Sequence, residues 1–126
     1  MRIKWSNNWK ASKKPSKQRK YRINAPLHIK HKFLAAHLSK ELKKKYGKRS
    51  LPVRKGDKVK IMTGQFRKHV GKILKVDLKK SKVHVEGADL IKKAGGKALY
   101  PIHASNLEIL ELNLDDKERK KILERK

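Results

Sequence analysis

The chain has 126 residues, with 37 Lys and Arg against 11 Asp and Glu, for a formal net charge of +26. That length allows one small core with appendages, and that charge makes the free chain self-repelling in a way that a polyanion relieves. No apolar run approaches the roughly 18 to 20 residues needed to span a bilayer, so no membrane insertion is expected. The absence of cysteine removes disulfides, thiolate metal sites and cysteine nucleophiles. The first residues pass through Trp5, Ser6, Asn7, Asn8 and Trp9 without an apolar core region, which argues against a secretory signal and for the cytoplasm.

The charge is unevenly placed. Residues 1 to 55 hold 19 basic side chains and one acid, Glu41; residues 56 to 110 hold 12 and 5; residues 111 to 126 hold 6 and 5. The N-terminal third therefore meets the partner first, the middle shares the contact, and the tail is almost neutral.

Residues 1 to 25 are too poor in apolar side chains to build a core, and they read as an extended basic arm that orders on its partner. Lys10, Lys13, Lys14, Lys17, Arg19, Lys20 and Arg22 are spread through it. Trp5 and Trp9, four apart, either share one helical face and pack on the barrel that follows or stack on unpaired bases. Residues 26 to 50 read as one basic amphipathic helix, with Pro26 in its first turn and Gly47 as its C-terminal cap. Leu27, Leu34, Leu38, Leu42 and Tyr46 form its packing stripe, and Lys30, Lys32, Lys40, Lys43, Lys44 and Lys45 line the other faces. Those lysines are either a solvated surface or a set of phosphate contacts; Glu41 is the only compensating acid among them.

Ser50, Leu51 and Pro52 break the pattern, and the period then changes to two. Val59 and Ile61, Ile73 to Val76, Val83 and Val85, Leu99 to Ile102 and Leu107 to Ile109 read as five short strands. Their spacing predicts a small antiparallel barrel of SH3-like or OB-like type over residues 51 to 112. Asp115 followed by Glu118 reads as a capping box opening a short mixed-charge helix within the tail, 113 to 126. The expected fold class is thus mainly β, with a basic N-terminal arm and helix and a short C-terminal helix.

The stretch from Val53 to Gly87 resembles the KOW motif, a strand, loop, strand unit with a central glycine, here Gly71, found in SH3-like barrels that bind RNA. Gly64 and Gly71 bracket a loop carrying Gln65, Arg67, Lys68 and His69, and glycine there permits a positive φ or a close backbone approach. Two further blocks, Asn24 to Lys32 ahead of the motif and Pro101 to Asn106 behind it, narrow the likeness. Together they resemble the archaeal and eukaryotic branch of the universal twenty-fourth protein of the large ribosomal subunit, over about residues 12 to 110. The family usually carries proline where Ala104 stands.

The resemblance implies a structural constituent of the large subunit that binds the 5′ domain of its rRNA. It also implies action early in subunit assembly, a place near the nascent-chain tunnel exit, and neighbouring large-subunit proteins as partners. It places RNA contacts on the arm (Lys13, Lys14, Lys17, Arg19, Lys20, Arg22), on His28, Lys30, His31 and Lys32, on Arg54 and Lys55 and on the 65 to 69 loop; Arg49 and His103 are further candidate RNA contacts. The alternative for Arg54, Lys55 and the loop is plain solvated surface.

Other chemistries find little support. His28, His31 and His37 lack the cysteine or carboxylate cluster of a closed zinc site. His103 and Ser105 lack a nearby acid for a triad. Gly95-Gly96-Lys97-Ala98 has Ile91 and Ala98 where a phosphate-binding loop needs glycine and Ser or Thr. No metal, cofactor or small-molecule substrate is expected, and no enzyme. The competing class is a KOW-type transcription-elongation factor, which places a globular α/β domain before the barrel; residues 1 to 50 are too basic and core-poor for one.

Overall fold

The computed structural model describes residues 5–6 and 12–125. Among these, four helices and eight strands form a mixed α/β fold, richer in helix than the mainly β expectation. Part of the expected extended arm is helical: α1 spans Pro15–Asn24 and opens on proline at its first position. Proline there sacrifices an N–H that would have no partner anyway, and the Lys, Arg and Gln that follow are good helix formers. Trp5 packs on this helix, its Nε1 donating to the Tyr21 carbonyl at 3.2 Å and its ring 5.0 Å from the Tyr21 ring. Trp9 lies outside the described residues.

The single helix expected over 26 to 50 is replaced by three elements: α2 (Leu27–Phe33), β1 (Ala35–Leu38) and α3 (Lys40–Tyr46). Leu34 and Leu38 are four apart, a spacing that suits a helical face and an extended strand alike. Ala36 decides between them, because Leu34, Ala36 and Leu38 are all buried while His37 is exposed, a period of two. Ser39 then restarts a helix, its Oγ accepting from the Leu42 N–H at 3.4 Å. Gly47 ends it in the left-handed region at φ 65, where other residues are strained.

The sheet is larger than the five strands expected. It includes β2 (Ser50–Pro52), β3 (Lys58–Ile61), β4 (Val70–Asp77), β5 (Lys82–Val85) and β8 (Leu107–Glu111), in the order β2-β1-β8-β3-β4-β5. β8 lies between β1, which it pairs in parallel through Leu38 and Ile109, and β3, which it pairs antiparallel through Val59 and Ile109. β4 pairs with β3 through its first half and with β5 through its second, with a register shift between Ile73 and Lys75 that bends it. The outer edge of β5 meets the returning chain at one isolated bridge, Val83 with Ile102. A separate hairpin, β6 (Asp89–Ile91) and β7 (Lys97–Leu99), projects between them. Alternate residues from the strands, including Val59, Ile61, Ile73, Val83, Val85, Leu107 and Ile109, make the core, each burial worth roughly 1.5 to 3 kcal/mol.

The tail is fastened to the sheet. α4 (Lys117–Glu124) is capped by Asp116 rather than Asp115: the Asp116 carboxylate accepts from the Glu118 N–H at 3.0 Å. The chain turns one residue later than the sequence pattern suggests because Asp115 is exposed and its own N–H bonds the Asn113 side chain. From α4, Leu123 enters the core and Arg119 reaches Asp57, at the turn ahead of β3. The guanidinium donates to both carboxylate oxygens at 2.6 Å, and also to the carbonyls of Asn113 (2.9 Å) and Pro52 (3.2 Å). Asp57 accepts in addition from the N–H groups of Arg54 (3.0 Å) and Asn113 (2.8 Å). Both charges are fully enclosed, so this pair is stable only because nearly every polar atom is partnered; Arg119 Nε is the exception.

Candidate nucleic-acid interface

On α1 and the residues before it, Lys13, Lys14, Lys17, Arg19, Lys20 and Arg22 are all exposed to solvent. Lys13, ahead of α1, and Arg19 and Arg22 on it line one shallow depression with Pro15 and Gln18. The opposite side of the helix is occupied by Tyr21, between Trp5 and Phe33. α1 is therefore a cationic rod held by aromatic contacts, and none of its cations has a carboxylate partner among the described residues.

α2 divides its candidates. His28 and Lys32 are exposed or nearly so, while Lys30 and His31 are half-buried. His31 lines a groove of about 590 Å³ with Arg54, Lys55 and Lys75 at its rim and Val53, Leu74, Val76 and Leu78 as apolar surface. Burial first, and then the fields of Arg54 and Arg119, hold its pKa below the usual 6.5. The neutral form of the His31 ring is therefore favoured more than in a free histidine, and a nearby anion would oppose that shift. Arg54 forms an ion pair with Asp116, and Asp116 in turn has its carboxyl lowered by the Glu118 N–H and by that arginine. Arg54 thus serves the tail as well as the surface. Lys55 and Arg49 are open to solvent.

The loop between β3 and β4 separates its four candidates by role. Gln65, Arg67 and Lys68 are exposed, and Lys68 itself adopts a positive φ of 71, its N–H closing the loop on the Ile61 carbonyl at 2.8 Å. His69 turns back on the fold: its Nε2 donates to the Glu86 carbonyl at 2.7 Å. The two bracketing glycines do different work. Gly64 supplies the loop with a φ of 96. Gly71 permits close approach, since a Cβ there would sit 2.5 Å from the Glu86 carbonyl oxygen.

His103 lies apart from the groove, in a pocket with Gly64 and Gln65. Its Nδ1 accepts from the Ser105 N–H at 3.2 Å, which places its proton on Nε2, and also meets the Ser105 Oγ at 2.8 Å. Burial, and then Lys82 and Arg22, lower its pKa. Arg22 near the end of α1 is thus within electrostatic reach of His103, so the arm helix and this pocket form one positive region. Lys82 had no motif to mark it in the sequence; it is found only because β5 carries it beside His103.

Among the described residues no group of three or more His, Asp or Glu side chains could hold a metal, and no helix is long and apolar enough to cross a membrane. Exposed, unpaired cations around a small sheet, with the buried acid spent on the fold, define a small basic structural protein. The family that unites the eukaryotic ribosomal proteins L26 with their archaeal L24-type counterparts matches residues 12–126, and the chain belongs to it. It is accordingly a non-enzymatic structural protein of the large ribosomal subunit, working in the cytoplasmic ribosome, and the match extends the resemblance through α4. The elongation-factor reading is not favoured by this match.

Proposed function

We propose that the chain binds the 5′ domain of large-subunit rRNA, using α1, α2 and the 65 to 69 loop as phosphate contacts on a sheet that serves as an SH3-like KOW barrel. The successive antiparallel strands β3, β4 and β5, the bend in β4 and the Val83–Ile102 bridge support the barrel reading. The observation that carries RNA binding is the state of the cations. Of the lysines and arginines that the sequence nominates as RNA contacts, Arg54 alone has a carboxylate partner among the described residues. Exposed positive charge left uncompensated by the fold is compensated by phosphate, with release of condensed counterions. A-form RNA is then selected mostly by shape, because its major groove is too narrow for side chains to read. Arginine offers bidentate phosphate contact and lysine an adaptable point charge.

Placement early in assembly and near the tunnel exit, beside other large-subunit proteins, completes the reading. The test is titration of a 5′-domain transcript with the full chain over a range of salt. Each phosphate contacted contributes about −0.7 to −0.9 to the log–log slope, so several contacts give a steep fall in affinity. A shallow slope, near one contact, overturns the proposal.

A further inference from the structure

We propose that the pocket between the 63 to 66 turn and the 100 to 106 segment receives a single unpaired nucleobase of RNA, an inference that rests on the rRNA-binding reading above. The pocket is small, about 180 Å³, below the roughly 300 to 1,000 Å³ of sites for drug-sized ligands. It suits one planar ring system and not a base pair. One part of its wall is aromatic: Phe66 and Tyr100 line it with ring centroids 5.2 Å apart and planes tilted by 60°. Such a wall offers a base a stacking partner and an edge.

The polar part of the wall is unspent. The side chains of Thr63, Gln65 and Asn106 line the pocket and have no hydrogen-bond partner among the described residues, although Asn106 uses its carbonyl to accept from the Met62 N–H at 2.8 Å. Each carboxamide presents a donor beside an acceptor, the pattern that matches the edge of adenine. Lys82 and the Nε2–H of His103 stand at the same pocket, with Arg22 in electrostatic reach, so the phosphate of the inserted nucleotide has cations to meet. Two sequence blocks that are far apart along the chain, the 64 to 69 loop and Pro101 to Asn106, thereby contribute to one site. A base can enter only if it is unpaired, which gives the protein a means of reading RNA that charge alone does not supply.

The experiment compares the full chain with the double variant Thr63→Ala, Asn106→Ala, neither residue being part of the core or of the 65 to 69 loop. Both proteins are titrated with a 5′-domain transcript and with a fully paired RNA duplex. The proposal expects the variant to bind the transcript about tenfold more weakly, the loss of roughly two hydrogen bonds, with the salt slope and the duplex affinity unchanged. Transcript affinity equal to that of the unaltered chain overturns the pocket and leaves rRNA binding standing. An equal loss on both RNAs also overturns it, since the effect is then not on an unpaired base. If the unaltered chain binds the transcript no better than the duplex, the rRNA reading fails as well.

Discussion

Replacing Arg119 by alanine is the sharpest probe of how this fold is held. The substitution deletes four hydrogen bonds, two of them to Asp57 at 2.6 Å, and leaves a fully enclosed carboxylate with only the N–H groups of Arg54 and Asn113. Removing one partner of a buried ion pair costs about 3 to 5 kcal/mol because the remaining charge is stranded. Small domains have about 5 to 15 kcal/mol in total. The unfolding temperature of Arg119→Ala should therefore drop by roughly 10 to 25 °C, read by circular dichroism on the free chain. The double variant Asp57→Asn with Arg119→Met strands no charge and keeps an acceptor for the Asn113 N–H, so it should recover at least half of the loss. The reasoning fails if Arg119→Ala costs less than about 1 kcal/mol, the range of an exposed pair, or if the double variant is no more stable than the single one.

Gly71→Ala drives a Cβ against the Glu86 carbonyl oxygen and should cost about 1 to 3 kcal/mol, seen as a lower urea midpoint. Replacing Lys17, Lys20 and Arg22 with alanine should weaken RNA binding without regard to sequence and reduce the salt slope by about 0.7 to 0.9 for each phosphate that goes unneutralised. His31 and His103 are both held below 6.5 in the folded chain. The unfolded chain therefore takes up protons first, and stability should be full above pH 6.5 and fall as the pH drops through that value toward the lowered pKa values. Urea midpoints over this range check it, and His31→Gln should flatten part of the slope. An anion at either ring raises its pKa, so RNA affinity should strengthen from about pH 8 to about pH 6.

β3 and β5 were legible because each alternates apolar and polar residues over a stretch too short to be confused with a helix, and β4 because Ile73, Leu74 and Val76 follow the break at Gly71. The segment around Leu34 was not, because a four-residue spacing satisfies both periods and only the burial of the small Ala36 separates them. α1 was hidden for a different reason: a helix with no apolar stripe has no periodicity to detect, and its aromatic contacts come from Trp5 and Phe33, outside it. The cations of the arm were evident from charge alone. What charge could not divide was their employment: His69 is bonded to Glu86, Arg54 is shared with Asp116, and Lys82 gains its place from β5. Asp57 and Arg119 meet across 62 residues, and no local pattern announces such a pair.

The position of β8 bears on the order in which the molecule can be built. It is the last strand to be synthesised, yet it lies in the middle of the six-stranded sheet, joining β1 and β2 on one side to β3, β4 and β5 on the other. Until residue 111 is available the chain holds two unconnected sheet fragments, and joining them requires closing long loops before any contact rewards it. During that interval β1 and β3 present bare edges, the templates on which nascent chains aggregate. Lys58 and Lys60 on β3 place charge along one of those edges. The same basic character that suits the mature protein to its partner thus also keeps the unfinished one apart from its copies.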